Sequence, residues 1–392
     1  MKIAHICTTF THASGLNLLL SLAEDQKRRG WEVEFITGRN TSADMVKETE
    51  NRGFKVTQIN SLTKYIHPLN DLKALLHLAA YIRIRHFDLV HTYLAKAGII
   101  GRVGSKMAGT KKIIHTVRGA TFAPTMPRSK RFFFKSLEKL AALFSDQLVF
   151  VGQELRNSYI QAEVCDLYKT AVIYNSVDLL PFIEAGEISE EERQARRQAV
   201  GLGPQDIVMG NVSRIVPWKG HHYALRLVKE LKREFPIKLV IVGDAVVSSE
   251  HAYKQKLLQR VKDSGIETDV IFTGWQQDPS FYYSIFDIYL LTSMPLEGIP
   301  KSVLEATMAG LPVVGFNCCG VREILGDAVR LVASKDLPAL SREVREEIAR
   351  LPENRCTPKK NPDLIRRLQE RHSVERMVRE YRDLYNRVLS EI

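Results

Sequence analysis

Short apolar runs that alternate with amphipathic stretches, in two successive series, constrain this chain more than any other feature. Residues 2–7 form the first run. A polar loop follows to Ser14, and Gly15 opens a helical pattern with Leu16, Leu19, Leu20 and Ala23 on one face. Gly30 ends that helix, and residues 31–37 make the next run. The order continues through runs at 55–59, 88–91 and 112–117, with helical patterns at 70–85 and 96–108, and closes with runs at 147–151 and 170–174. Strand–helix–strand order repeated in this way predicts a doubly wound α/β domain, whose ligands bind outside the carboxyl ends of parallel strands. The loop before Gly15 lacks a full Gly-x-Gly-x-x-Gly, which argues against a dinucleotide cofactor. A lone glycine there either lets the backbone approach a phosphate or serves as a plain turn residue.

A charged, helix-prone stretch at 184–205 reads as a linker with a lead-in helix. The second series then begins at 207–212. Its further runs lie at 238–242, 270–272, 288–291 and 313–316, and two charged helices, 362–370 and 373–389, end the chain. The expected organisation is an acceptor-side domain of residues 1–178, completed by a returning helix at 373–392, and a nucleotide-binding domain of residues 179–372. Two α/β domains in series, each with a strand-end rim, are expected to face each other across a cleft.

The chain has 392 residues, enough for two cores of ordinary size. Its formal net charge of +11 points to a polyanionic partner: nucleic acid, anionic lipid or a phosphorylated substrate. The five cysteines show neither metal-ligand spacing nor a secreted disulfide pattern, so a cytoplasmic setting is expected. The first residues turn polar at Thr8 and read as a strand, not a signal peptide. No apolar run reaches the roughly 18 residues of a membrane span. The stretch 127–146 is unlike the rest: Arg128, Lys130, Arg131 and Lys135 interleave with Phe132, Phe133 and Phe134. It reads as an amphipathic helix, either packed on the sheet with a solvated basic face or lying on an anionic membrane surface. No nucleic-acid module surrounds it, so nucleic acid is not the expected partner.

Chemistry concentrates in the second half. Glu297 and Glu305 bracket Gly298, Ile299, Pro300 and Lys301, and Gly310-Leu311-Pro312 reads as a helix stop. Pro300 suits a first helical position, which puts Glu297 in the loop before a short helix and Glu305 within it. The amides at that helix start favour an anion, and the two carboxylates can accept hydrogen bonds from sugar hydroxyls. Arg214 and Lys219 follow the 207–212 run on a loop and offer a second clamp for a diphosphate. There is no Asp-x-Asp, the motif expected where a divalent metal bridges a nucleotide diphosphate.

Taken in order, Ser213-Arg214-Ile215-Val216-Pro217-Trp218-Lys219-Gly220, Phe272-Thr273-Gly274-Trp275, Glu297-Gly298-Ile299-Pro300 with Glu305-Ala306, and Gly310-Leu311-Pro312-Val313-Val314 resemble the signature of glycosyltransferase family 4. Asp88-Leu89-Val90-His91-Thr92, Lys96-Ala97-Gly98 and Asn175-Ser176-Val177-Asp178 extend the resemblance over most of the chain. It implies a GT-B fold of two Rossmann-like domains. It also implies a retaining, metal-independent transfer of a hexose-type sugar from a nucleotide sugar to an acceptor hydroxyl, with no cofactor. On that resemblance Glu305 takes the ribose hydroxyls and Glu297 a donor-sugar hydroxyl. The amides of Gly298, Ile299, Ser302 and Val303 face sugar and phosphates. Arg214 and Lys219 neutralise the leaving diphosphate, Gly15 touches it, and Trp275 approaches the base. Family members often carry a histidine after the strand ending at Val117, where this chain has Arg118. Arg118 donates hydrogen bonds and a fixed charge but shuttles no proton near neutral pH. The charge and the basic aromatic stretch point to a lipid-linked or membrane-associated glycan as acceptor, met by a peripheral protein. Two other readings remain: a nucleotide-sugar-binding scaffold, and a nucleotide-sugar epimerase or hydrolase.

Overall fold

The computed structural model describes residues 1–10, 13–63, 65–122, 126–294, 300–318, 320–352 and 362–390. It divides into two compact units, Met1–Ser176 with Arg371–Ile392, and Val177–Glu370. The expected boundaries were 178 and 373. The second crossing falls in the last turn of the helix Pro362–His372.

Unit 1 holds seven parallel strands: β1 (Lys2–Cys7), β2 (Glu32–Gly38), β3 (Lys55–Ile59), β4 (Leu89–Tyr93), β5 (Lys112–Val117), β6 (Gln147–Phe150) and β7 (Thr170–Val172). Their order is β3-β2-β1-β4-β5-β6-β7, so the winding reverses between β1 and β4. The central strands are buried throughout, as expected of a parallel sheet covered on both faces. Helices Ala13–Arg28 and Val374–Ser390 pack on one face, where Met377, Tyr381, Leu384, Tyr385 and Val388 join the core of Leu19, Leu20 and Phe35. The returning helix is clasped to the first by Arg382 and Asp25. On the other face, helix Pro68–Arg85 lies beside Ala95–Ala108, and that beside Arg128–Leu143. A buried Arg102–Glu138 ion pair at 2.6 Å joins the last two.

Unit 2 holds β8 (Ile207–Val212), β9 (Ile237–Val242), β10 (Val270–Gly274), β11 (Ile288–Leu291), β12 (Val313–Phe316) and β13 (Arg330–Val332), ordered β10-β9-β8-β11-β12-β13. Its winding reverses between β8 and β11. The stretch 184–205, expected as a linker with a lead-in helix, holds that helix as Glu190–Ala199, and it is packed into this unit. Helix Glu190–Ala199 buries Arg193 and Arg197 against Asp287, which also accepts the Val208 N–H at 2.7 Å. A run rich in charge looks solvated in sequence. Here two of its arginines anchor it, one helical turn apart on the same face. Helix Lys301–Met308 begins one residue later than the proline rule predicted, with Pro300 at the N-cap. It ends as expected, at Gly310 with φ 75°, where the Leu311 N–H bonds the Ala306 carbonyl.

Candidate functional site

Each unit presents its loops at the carboxyl ends of parallel strands, and the reversal of winding opens a crevice there. In unit 2 the crevice lies between β8 and β11. The segment after β8 is pinned on both sides. The Ser213 N–H bonds the Val242 carbonyl at 2.9 Å, and the Ile215 N–H bonds the Asp244 carbonyl at 3.0 Å. On the β11 side Thr292 Oγ1 donates to the Lys219 carbonyl at 2.8 Å, and the Met294 N–H to that of Trp218 at 2.8 Å. Gly220 adopts φ 70°, and a Cβ there would stand 2.1 Å from the Thr292 carbonyl oxygen. Only glycine permits this close crossing, which starts the helix His221–Leu231 at the crevice.

This frame carries Arg214 and Lys219. The Arg214 guanidinium lies 3.5 Å from the Glu250 carboxylate and 5.6 Å from the centre of the Trp218 ring, and it stays partly exposed. Glu250 is itself buried and accepts the Val246 N–H at 2.9 Å. Lys219 is half-buried, and its charge bears on Glu305 across the crevice. Beneath them, His221 bonds the Ser213 hydroxyl at 3.0 Å, and burial next to the Lys219 charge holds it neutral, down to about 3.

Glu305 sits on helix Lys301–Met308, beyond β11. The Tyr283 hydroxyl donates to its Oε2 at 2.6 Å and reaches the Ser302 carbonyl at 3.2 Å. Tyr283 is fixed by Phe182 edge-on at 5.1 Å and by stacking on Tyr289 at 5.9 Å. Burial pushes the Glu305 carboxyl upward, against the Tyr283 hydroxyl and the charges of Lys301 and Lys219. A carboxylate held in place with a cation beside it is ready to accept hydrogen bonds from vicinal hydroxyls. Of the amides assigned to the phosphates, that of Val303 bonds the Pro300 carbonyl at 3.1 Å. Ser302 is half-buried in the first turn of the same helix. Trp275 follows β10 with 61% of its surface exposed, a free aromatic face at the rim. Glu297, Gly298 and Ile299 lie outside the described residues.

The unit 1 rim lies between β1 and β4. Gly15 is in the first turn of helix Ala13–Arg28, after β1. Thr8 Oγ1 accepts the Ala97 N–H at 3.2 Å and ties β1 to the helix after β4. Leu94, at that turn, has φ 65°, a strained geometry for a branched residue. Arg118 follows β5, with its guanidinium 5.5 Å from the Tyr93 ring centre and a buried Nε that has no partner. Behind it lies a chain of buried hydrogen bonds. His5 contacts Gln26 and Tyr93, Tyr93 contacts His91, and His91 contacts Tyr385 and Thr116, at 2.7–2.9 Å. Burial holds His5 down to about 4 and His91 well below its ordinary value. His115 points away from the rim, as its position in the strand predicts, and bonds Thr92 Oγ1 at 2.9 Å.

The structure thus places Lys219 within electrostatic reach of Glu305 and sets Arg214 on the same edge. Sequence reasoning missed Tyr283 and Glu250, the residues that hold Glu305 and Arg214. Tyr283 stands in an aromatic run whose period says only that it is buried. Glu250 is one acid among many at helix starts.

Residues 17–179 match the family described as Glycosyltransferase Family 4, and residues 192–363 match Glycosyl transferases group 1. A UDP-Gal:α-D-GlcNAc-diphosphoundecaprenol α-1,3-galactosyltransferase of Escherichia coli is 29% identical over 70% of each chain. The O-antigen biosynthesis glycosyltransferase WclY of Escherichia coli is 22% identical over the full length of both. Among solved structures, Anabaena HepE in complex with UDP and glucose superposes with a TM-score of 0.79 at 19% identity, covering 98% of this chain and 99% of that one. Sucrose-phosphate synthase of Thermosynechococcus elongatus does so with 0.79 at 18% identity over all of both chains. Two consecutive family matches, one to each unit, and two Rossmann-like parallel sheets agree. The chain is a glycosyltransferase enzyme of family 4 type with the GT-B fold.

Proposed function

We propose that this family 4-type glycosyltransferase moves a hexose-type sugar from a nucleotide diphosphate sugar to a hydroxyl of a lipid-linked glycan, with retention and without a metal. The observation that carries this reading is the Tyr283-held Glu305 at the reversal point of the unit 2 sheet, near enough to Lys301 and Lys219 for their charges to act on it. Glu305 accepts the ribose hydroxyls. Lys219 and Arg214 take up the charge that grows on the diphosphate as the anomeric carbon–oxygen bond breaks, an electrostatic contribution made mainly in the transition state. The acceptor hydroxyl forms the new bond on the face the diphosphate leaves, and a phosphate oxygen receives its proton. Glu297 orients the transferred sugar near the reacting carbon, with the amides of Gly298, Ile299 and Ser302 on sugar and phosphates; the Val303 N–H, bonded to the Pro300 carbonyl, drops out of that set. Trp275 lies against the base, and Gly15 allows close approach of the unit 1 backbone to a phosphate. Arg118, a fixed cation, pairs with an acidic group on a substrate.

Relatives named for UDP-galactose transfer to a diphosphoundecaprenol-linked sugar, and for O-antigen and capsular polysaccharide synthesis, support UDP as the nucleotide and a cell-envelope glycan as the product class. Among the described residues no helix is long and apolar enough to cross a membrane. The protein meets its acceptor as a peripheral protein on the cytoplasmic face, with the Arg128–Leu143 helix toward anionic lipid. Phe132 is 73% exposed and Phe133 55%, beside Arg128, Lys130 and Arg131. Phe134 corrects part of the expectation: it is half-buried and packs with Val117 and Phe122, and Lys135 is half-buried too.

A panel of UDP-, GDP- and ADP-hexoses with a diphosphopolyprenol-linked acceptor tests the reading. The expected result is transfer from one UDP-hexose, unaffected by EDTA, with the donor's anomeric configuration kept in the product. Conversion of the donor without acceptor would favour an epimerase or hydrolase. Nucleotide binding with no turnover of any donor would favour a scaffold.

A further inference from the structure

The helix Pro68–Arg85 carries an outward face that the transfer reaction leaves unused. Its inward side is ordinary: Ala74, Leu78, Ala79 and Ile82 pack into the core with Ile36, Val90 and Ile100. Its outward side is not. Leu69, Leu72, Leu76 and Ile84 expose 52–74% of their surface, and Tyr65 and Ile66, just ahead of the helix, expose 62% and 63%. Large apolar side chains exposed together along one helix mark a contact. The exposed positions on this helix include Lys73 and Arg83 and no carboxylate; the one acid of the helix, Asp71, turns aside to Lys96. The exposed positions of Arg128–Leu143 are likewise apolar and basic with no acid, there with Phe132 and Phe133 among them. Both helices flank Ala95–Ala108 in one layer on the same face of the unit 1 sheet.

We propose that the outward face of Pro68–Arg85, led by Tyr65 and Ile66, inserts into the interfacial layer of an anionic bilayer. Apolar side chains between cations, with no acid among them, complement a negatively charged lipid surface. A second copy of the chain fits poorly, because a self-complementary interface of this face would bury Lys73 and Arg83 with no exposed carboxylate on either copy's helix to pair them. The amino end of this helix, with Tyr65 and Ile66, lies at the carboxyl edge of the sheet, the edge that carries Arg118. Insertion there lays the unit 1 rim against the lipid, so that a membrane-held acceptor sugar meets it without leaving the surface. For its purpose the inference rests on the lipid-linked acceptor proposed above. Its test uses neither donor nor acceptor, so either can fail alone.

The test is flotation of the full chain with phosphatidylglycerol/phosphatidylcholine vesicles and with phosphatidylcholine vesicles. The variants are Leu69→Ser/Leu72→Ser/Leu76→Ser and Lys130→Glu/Arg131→Glu. The triple serine variant should keep its melting temperature, since all three side chains are exposed. It should lose at least about tenfold in partition onto the phosphatidylglycerol vesicles, a loss that salt does not mimic. The charge-reversal variant should lose binding that salt also removes. An Ile66→Trp reporter should shift its emission to the blue on the same vesicles. Absence of wild-type flotation, or unchanged flotation of the triple serine variant, would overturn the proposal. So would a wild-type dimer that the serines split while flotation stays the same.

Discussion

The two sheets end in rims of opposite character. In unit 2 the polar groups at the reversal point are charged and partly open: Arg214 rests against Glu250 and Trp218, and Glu305 is held by Tyr283 with Lys219 acting on it. In unit 1 the groups behind the rim are neutral and sealed. His5, His91, Tyr93, Tyr381 and Tyr385 exchange hydrogen bonds with Gln26 and Thr116 under the returning helix, and Arg118 stands beside them at the rim, its guanidinium over Tyr93. The contrast teaches what each rim can do. Partly open charge can meet an anionic ligand, whereas a satisfied buried network resists rearrangement and stiffens the strand ends above it.

Acidification should separate the units most strongly. Burial holds His5 and His372 in unit 1 down to about 4, and His91 and His115 well below their ordinary value, while unit 2 has His221 at about 3 and His222 lowered by partial burial. A folded value below the unfolded one, about 6.5, means the unfolded chain binds more protons between the two. This contribution to stability is therefore complete above about pH 6.5 and is lost as the pH falls from there through about 4, by about 1.4 kcal/mol per pH unit for each group. Hydrogen exchange at stepped pH should show unit 1 losing protection before unit 2. Simultaneous loss would break the comparison.

Lys219→Ala should lower kcat/KM about a hundredfold to a thousandfold, the usual cost of removing one stabiliser of developing charge. Its melting temperature should barely move. A large thermal shift with intact turnover would instead make Lys219 part of the frame. Tyr283→Phe should come next. It strips the buried side of Glu305 of its donor, so a loss of about 1–3 kcal/mol is expected, together with a higher KM for the donor. Tyr385→Phe is its counterpart in unit 1. It should cost about 1 kcal/mol in thermal unfolding and leave the donor KM unchanged, because His91 keeps Tyr93 and Thr116 as partners. Smallest is Glu250→Gln. It retains an acceptor for the Val246 N–H and removes the charge that holds Arg214, so a change of about threefold in UDP affinity is expected in calorimetry. An effect as large as that of Lys219→Ala would mean that Glu250 itself meets the substrate.

Much of this was legible in the residues, for reasons that differ by element. Helix Lys301–Met308 announced itself through Pro300 before it and Gly310-Leu311-Pro312 after it, because those residues restrict the backbone locally. Arg214 and Lys219 were placed correctly on the loop between β8 and the next helix by strand period alone. The stretch 184–205 was legible as carrying a helix but not as an anchored one, because a run of arginines and glutamates looks solvated until Asp287, far along the chain, is seen to bury two of them. Phe134 and the exposed leucines of Pro68–Arg85 show the same limit. Amphipathic spacing tells that a helix has two faces, and the neighbours decide which face is covered.

By itself the sequence determined the two doubly wound units, which loops follow the carboxyl ends of their strands, and the residue types on those loops. Those follow from local period, turn chemistry and the direction of parallel strands. Tertiary structure alone decided that Tyr283 holds Glu305, that Glu250 holds Arg214, that five histidines are buried neutral, and that Leu69, Leu72 and Leu76 are left uncovered. Each depends on contacts between residues distant in the chain, and burial and electrostatic environment are properties of packing that no local pattern encodes.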